Sequence, residues 1–119
     1  MKAAEAISAA DELCPNPFSE EQKLRELNRI ECRIRVDILG EDPAEVLPIE
    51  QESIAESSLT LEDRYSDIYI CWLKAKYYWL MGEYDIYQNE KAMFEAEWRR
   101  WVADVANEQY TGSCGKEYG

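Results

Sequence analysis

The stretch Ile68 to Met81, IYICWLKAKYYWLM, followed at once by Gly82, decides how the rest of this chain is read. Only Lys74 and Lys76 interrupt its apolar and aromatic run. A helix apolar on nearly every side is either central in a fold or leaves part of its surface for a partner. Fourteen residues is too short for a bilayer, which needs about 20, and the acids Asp63, Asp67, Glu83 and Asp85 flank it closely. The segment therefore reads as a core helix, with more apolar surface than a small domain readily covers.

Working outward, the helix is expected to begin at Thr60 or Ser58, with Asp63 as a capping-box partner of Thr60, and to run to Met81. Its main apolar face is expected to be Tyr65, Ile68, Tyr69, Trp72, Leu73, Trp79 and Leu80, with Ile70, Tyr77 and Tyr78 on other faces. Gly82 suits the left-handed position that ends a helix. A last helix is expected from about Glu83 to Asn107, carrying Tyr84, Tyr87, Phe94, Trp98, Trp101 and Val105. So short a turn folds the two into an antiparallel hairpin. The glycine-containing end, YTGSCGKEYG, is expected to be a flexible tail over 108–119.

Upstream, Ala3 to Leu13 places Ile7, Ala10 and Leu13 at helical spacing, and Cys14-Pro15-Asn16-Pro17 reads as a breaker. Ser19 with Gln22 forms a capping box. It opens a helix whose stripe is Leu24, Leu27, Ile30, Ile34 and Ile38, ended by Gly40. Arg25, Arg29, Arg33 and Arg35 read as a solvated face, with Glu21–Arg25 and Glu31–Arg35 as pairs four apart. From Glu41 to Thr60 periodicity fails, and two prolines and six acids mark an irregular acidic loop. A connection this long is uncommon in a compact domain and is usually functional or disordered. Val46, Leu47 and Ile49 are expected to anchor it, with a helical turn within Gln51 to Ser57. The fold expected is all-α: a small bundle of about four helices, one domain over 1–107, built around the hairpin.

Composition narrows the function. Twenty-five acids against thirteen basic residues give a net charge of −12, a field that repels phosphate backbones and argues against direct, sequence-specific nucleic-acid binding. Histidine is absent and the four cysteines, Cys14, Cys32, Cys71 and Cys114, are far apart. That removes the usual zinc spacing and the histidine-based nucleophile arrangements. No glycine-rich phosphate loop occurs, so no cofactor and no enzyme activity are expected. The cysteines suit a reducing compartment, and MKAAEAISAADEL lacks the apolar core of a signal peptide. What remains is protein–protein contact. Aromatic residues rich at interfaces make Tyr77, Tyr78, Tyr84 and Tyr87 the candidate interface, while Trp72, Trp98 and Trp101 are expected in the core and Cys71 as a buried thiol.

Two regions carry a family likeness: Tyr65, Asp67, Ile68 and Tyr69, then Gly82-Glu83-Tyr84-Asp85, Tyr87, Asn89 and Ala92-Met93-Phe94; and Pro15-Asn16-Pro17-Phe18-Ser19 with Lys23-Leu24 and Leu27. They resemble small head-morphogenesis proteins of phages and prophages of Gram-positive bacteria, which look like all-helical head–tail connector, or adaptor, proteins. The resemblance misses the 41–60 loop and the tail. It implies self-association into a ring beneath the portal, with portal and tail-completion proteins as partners. It also implies residence in the bacterial cytoplasm during assembly and then in the virion neck. It carries over no functional residue. The other reading from the same residues is an interaction module or regulator acting on host or assembly proteins.

Overall fold

The computed structural model describes the backbone of residues 1–118 and the side chains of residues 1–108. It is all-helical, with four α-helices: α1 (Ala3–Leu13), α2 (Glu20–Cys32), α3 (Ser66–Leu80) and α4 (Tyr84–Tyr118). Among the described residues no strand forms, and one isolated bridge joins Lys2 to Ser58. The last helix, expected to end near Asn107, continues to Tyr118 through most of the tail expected over 108–119, of which only Glu108 lies within the described side chains.

Helix α1 presents Ala3, Ala6, Ile7 and Ala10 to the core. Small residues there let α3 approach closely. Leu13, expected on that face, is 61% exposed, and Cys14 takes the buried position instead. Cys14, four residues on from Ala10, continues the buried stripe, and Leu13 falls at its edge. Asn16 then organises the turn: its amide donates to Asp11 and to the Cys14 carbonyl (both 2.9 Å), and its oxygen accepts from Phe18 N–H. Ser19 and Gln22 form the expected capping box at the start of α2.

Leu24, Leu27, Ile30 and Ile34 are buried as a stripe, and Ile38 is half-buried. Past Cys32 the helix widens into a π-helical segment, Arg33–Ile38. Such segments are uncommon and often occur at functional sites. Gly40 closes it at φ 73°. The Glu21–Arg25 pair forms at 3.7 Å. The expected Glu31–Arg35 pair does not, because Glu31 turns into the protein and Arg35 is held by Glu41 at 2.8 Å.

The 41–60 connection is irregular but firmly attached. Short 3-10 turns form at Pro43–Glu45 and Gln51–Ser53. Asn28 grips Ile49 twice, accepting from its N–H (2.9 Å) and donating to its carbonyl (3.2 Å). Farther on, the carbonyls of Ser57 and Ile54 accept from Ala3 and Ala4 N–H at 2.9 and 3.0 Å. These are first-turn donors that a helix cannot satisfy itself, so the loop caps α1. Leu47, one of the expected anchors, is 76% exposed, whereas Ile49 and Ile54 do pack against the core.

α3 begins at Ser66, after a 3-10 turn at Asp63–Tyr65, and not at Thr60. Residues 58–62 are claimed by other contacts. Leu59 N–H reaches the Met1 carbonyl (2.9 Å), Leu59 and Leu61 are buried on alternate positions, and Thr60 donates to Glu31 from its N–H (3.2 Å) and hydroxyl (2.8 Å). These contacts hold residues 58–62 out of helical geometry, so no helix starts at Thr60.

α3 is enclosed by α1 and α2 on one side and α4 on the other, so burial spreads round it: Ile68, Tyr69, Cys71, Leu73, Ala75 and Tyr77 are all buried. Paired residues of α3 and α4 run in opposite order, Tyr65 with Asp104, Lys74 with Glu90 and Trp79 with Tyr84. The hairpin is therefore antiparallel.

Candidate functional site

The hairpin turn is a Schellman closure. Gly82 has φ 78°, its N–H bonds to the Trp79 carbonyl (3.1 Å), and Glu83 N–H bonds to the Tyr78 carbonyl (2.9 Å). Beyond the reach of α1 and α2, the tip exposes Trp79 (50%), Leu80 (56%), Tyr84 (55%) and Ile86 (41%). Trp79 and Leu80, expected in the core face, are thus surface residues. Trp79 is held between Tyr84 and Tyr87, with ring centroids 5.0 and 5.1 Å away. Tilted aromatic pairs at this spacing are favourable and stiff.

Tyr87 also opens onto a groove of about 470 Å³ on the same hairpin, floored by Trp72, Phe94 and Trp98. Trp72 and Phe94 stack at 5.3 Å, and Phe94 and Trp98 at 5.7 Å. The Trp72 indole N–H donates to the Glu26 carbonyl (2.9 Å), which fixes the ring. Four cations stand round this floor: Arg33, Lys76, Lys91 and Arg99, with Glu95 the one acid. The Arg33 guanidinium lies 4.6 Å over Trp98 and the Lys76 ammonium 4.5 Å over Trp72, distances at which a cation is attracted to the ring face. Lys91 pairs with Glu95 at 4.0 Å. Basic and aromatic side chains thus concentrate on one stretch of an acidic protein.

The four expected tyrosines fare differently. Tyr84 and Tyr87 stand together at the tip and the groove. Tyr77 is 1% exposed, so it offers no surface in this fold. Phe18, delivered by the Asn16 turn, covers its ring at 5.8 Å. Tyr78 is half-buried, and its hydroxyl meets the Cys14 thiol. Of the tryptophans placed in the core, Trp101 is buried while Trp72 and Trp98 are half-buried and line the groove. Sequence reasoning missed Arg33, Lys76 and Arg99. Lys76 left a trace: Trp72, Leu73, Trp79 and Leu80, its neighbours at helical spacing, are all apolar.

The second cavity, about 460 Å³ between α2 and the 41–60 loop, is bordered by Glu31, Cys32 and Arg35. Glu31 is 7% exposed and accepts from Thr60 and from the Tyr69 hydroxyl, which itself accepts from Leu61 N–H at 3.0 Å. Burial first, and then the Glu31 charge, raise the Tyr69 pKa. This cluster ties loop to bundle. Burial likewise pushes the Cys71 thiol up to about 11 and raises that of Cys14, the opposite of what an activated nucleophile needs. Among the described residues no cluster of three or more possible ligands could hold a metal, and no helix is long and apolar enough to cross a membrane. No family model matches the chain, and neither a curated protein nor a solved structure does.

Proposed function

We propose that this chain is a non-catalytic docking subunit, and more specifically a virion structural and assembly protein: a head–tail connector subunit that forms a ring beneath the portal. The observation that supports docking is the continuous aromatic surface from Trp79, Tyr84 and Tyr87 into the groove of Trp72, Phe94 and Trp98. Aromatic residues and arginine are enriched among the residues that dominate interface energetics, and tyrosine and tryptophan bring large contact area at low entropic cost. The connector assignment rests on the family resemblance of the hairpin and of the Pro15–Leu27 region. Portal and tail-completion proteins would be its partners in the virion neck.

The test is the composition of particles produced by a host carrying this gene. Peptides of the chain at a low, fixed ratio to the capsid protein support the connector. Peptides confined to the soluble fraction overturn it, and leave the aromatic surface to a regulator or assembly factor that does not stay in the particle.

A further inference from the structure

Among the described residues, Arg33, Lys76 and Arg99 have no carboxylate within 4.0 Å, although the chain holds 25 acids. All three border the aromatic groove. The occupant that completes this surface must bring acids together with an apolar side chain.

One exposed segment of the chain has that character. Leu47 is the most exposed large hydrophobic residue described, at 76%, and Asp42, Glu45 and Glu50 beside it are all exposed. Pro43 and Pro48 limit its backbone freedom, and Asp42 caps Ala44 N–H at 2.9 Å. A segment already ordered loses little entropy on binding. The hairpin tip also carries acids, Glu83 and Asp85, next to apolar residues. It is two packed helices, about 20 Å across, too wide for a groove of about 470 Å³.

We infer that the groove of one subunit receives the 42–50 loop of a second copy, with Leu47 on the floor of Trp72, Phe94 and Trp98 and the loop carboxylates facing Arg33, Lys76 and Arg99. Two copies each carrying −12 repel at long range. Self-association therefore needs a local match of opposite charge, and this is where the chain provides one. Groove and loop are separate surfaces, so the pairing is met either reciprocally in a two-fold dimer or head to tail, which closes into a ring where the rotation between copies allows. The inference rests on the docking reading above and is independent of whether the protein enters particles.

Sedimentation velocity on the full chain, from micromolar to millimolar, tests it. Wild type is expected to assemble with rising concentration. The groove variant Arg33→Glu/Arg99→Glu and the loop variant Glu45→Lys/Glu50→Lys are each expected to weaken association about tenfold or more. An equimolar mixture of the two is expected to restore it, because each supplies the surface the other lacks. Leu47→Ser provides a loop variant without charge change, with circular dichroism confirming the fold of each. A wild type that stays monomeric throughout overturns the inference. So does a groove variant that assembles like wild type, even if particles contain the protein. Failure of the mixture to recover assembly overturns the pairing of groove with loop.

Discussion

Replacing Tyr69 by Phe removes one oxygen from the centre of the protein. Tyr69 is 0% exposed, and its hydroxyl both donates to Glu31 and accepts from Leu61 N–H. The phenyl ring stays, so no cavity of consequence opens. Leu61 is 6% exposed, and its N–H would be left without an acceptor, which costs about 1–3 kcal/mol. Losing a hydrogen bond to a charged group costs about 1.5–3 kcal/mol. Glu31 keeps both Thr60 donors, so its charge is not orphaned. The two losses share one atom and do not simply add. The net expectation is about 3 kcal/mol, a large share of the 5–15 kcal/mol typical of a domain, and a fall in Tm of about 12 °C.

Urea unfolding followed by circular dichroism and tryptophan fluorescence measures the loss. Amide exchange across residues 41–61 shows whether the loop loosens ahead of the hairpin. Tyr77→Phe is the matched control. It too removes a buried hydroxyl, but one that lies near Asp11 without a hydrogen bond of good geometry, Asp11 being taken by Asn16 and Lys23, so the change is expected to cost under about 1 kcal/mol. If both variants lose the same stability, or Tyr69→Phe loses under about 1 kcal/mol, the Glu31–Tyr69–Thr60 cluster does not hold the loop as argued.

Two further changes probe the hairpin. Lys74 and Glu90 pair at 3.0 Å with side chains only 14% and 11% exposed. Lys74→Ala leaves a mostly buried carboxylate and is expected to cost about 3 kcal/mol, whereas Lys74→Met with Glu90→Leu recovers most of it in thermal melts. A single variant as stable as wild type would count against the pair. The Cys71 pKa, raised to about 11 by burial, gives a pH signature. The unfolded thiol ionises near its ordinary value, about 8.5, and the folded one only later. The stabilisation is thus complete below the unfolded value and is lost as pH rises through about 11. Peptide-resolved alkylation at mildly alkaline pH is expected to modify the exposed Cys32 quickly and the buried Cys14 and Cys71 slowly. Equal rates for Cys32 and Cys71 would refute the burial argument.

Features carried by neighbours in the chain were legible without the structure. The Ser19–Gln22 box, the Leu24–Ile34 stripe, Gly82 at the hairpin turn and the order of four helices each depend on spacings of three to five residues. Periodicity and capping chemistry encode such features directly. The start of α3 was not legible, because Thr60 looks like a cap until Glu31, 29 residues away, binds its N–H and hydroxyl and holds the segment out of helical geometry. Tyr77 looked like surface until Phe18 folded over it. The groove needed three segments at once: Arg33 from the π-helical turn, Trp72 and Lys76 from α3, and Phe94, Trp98 and Arg99 from α4. By itself the sequence determined the helices and their hairpin, since hydrogen bonding and side-chain period act within a segment. Which aromatic rings and cations meet was decided only by packing, because that depends on distances between segments the chain does not place side by side.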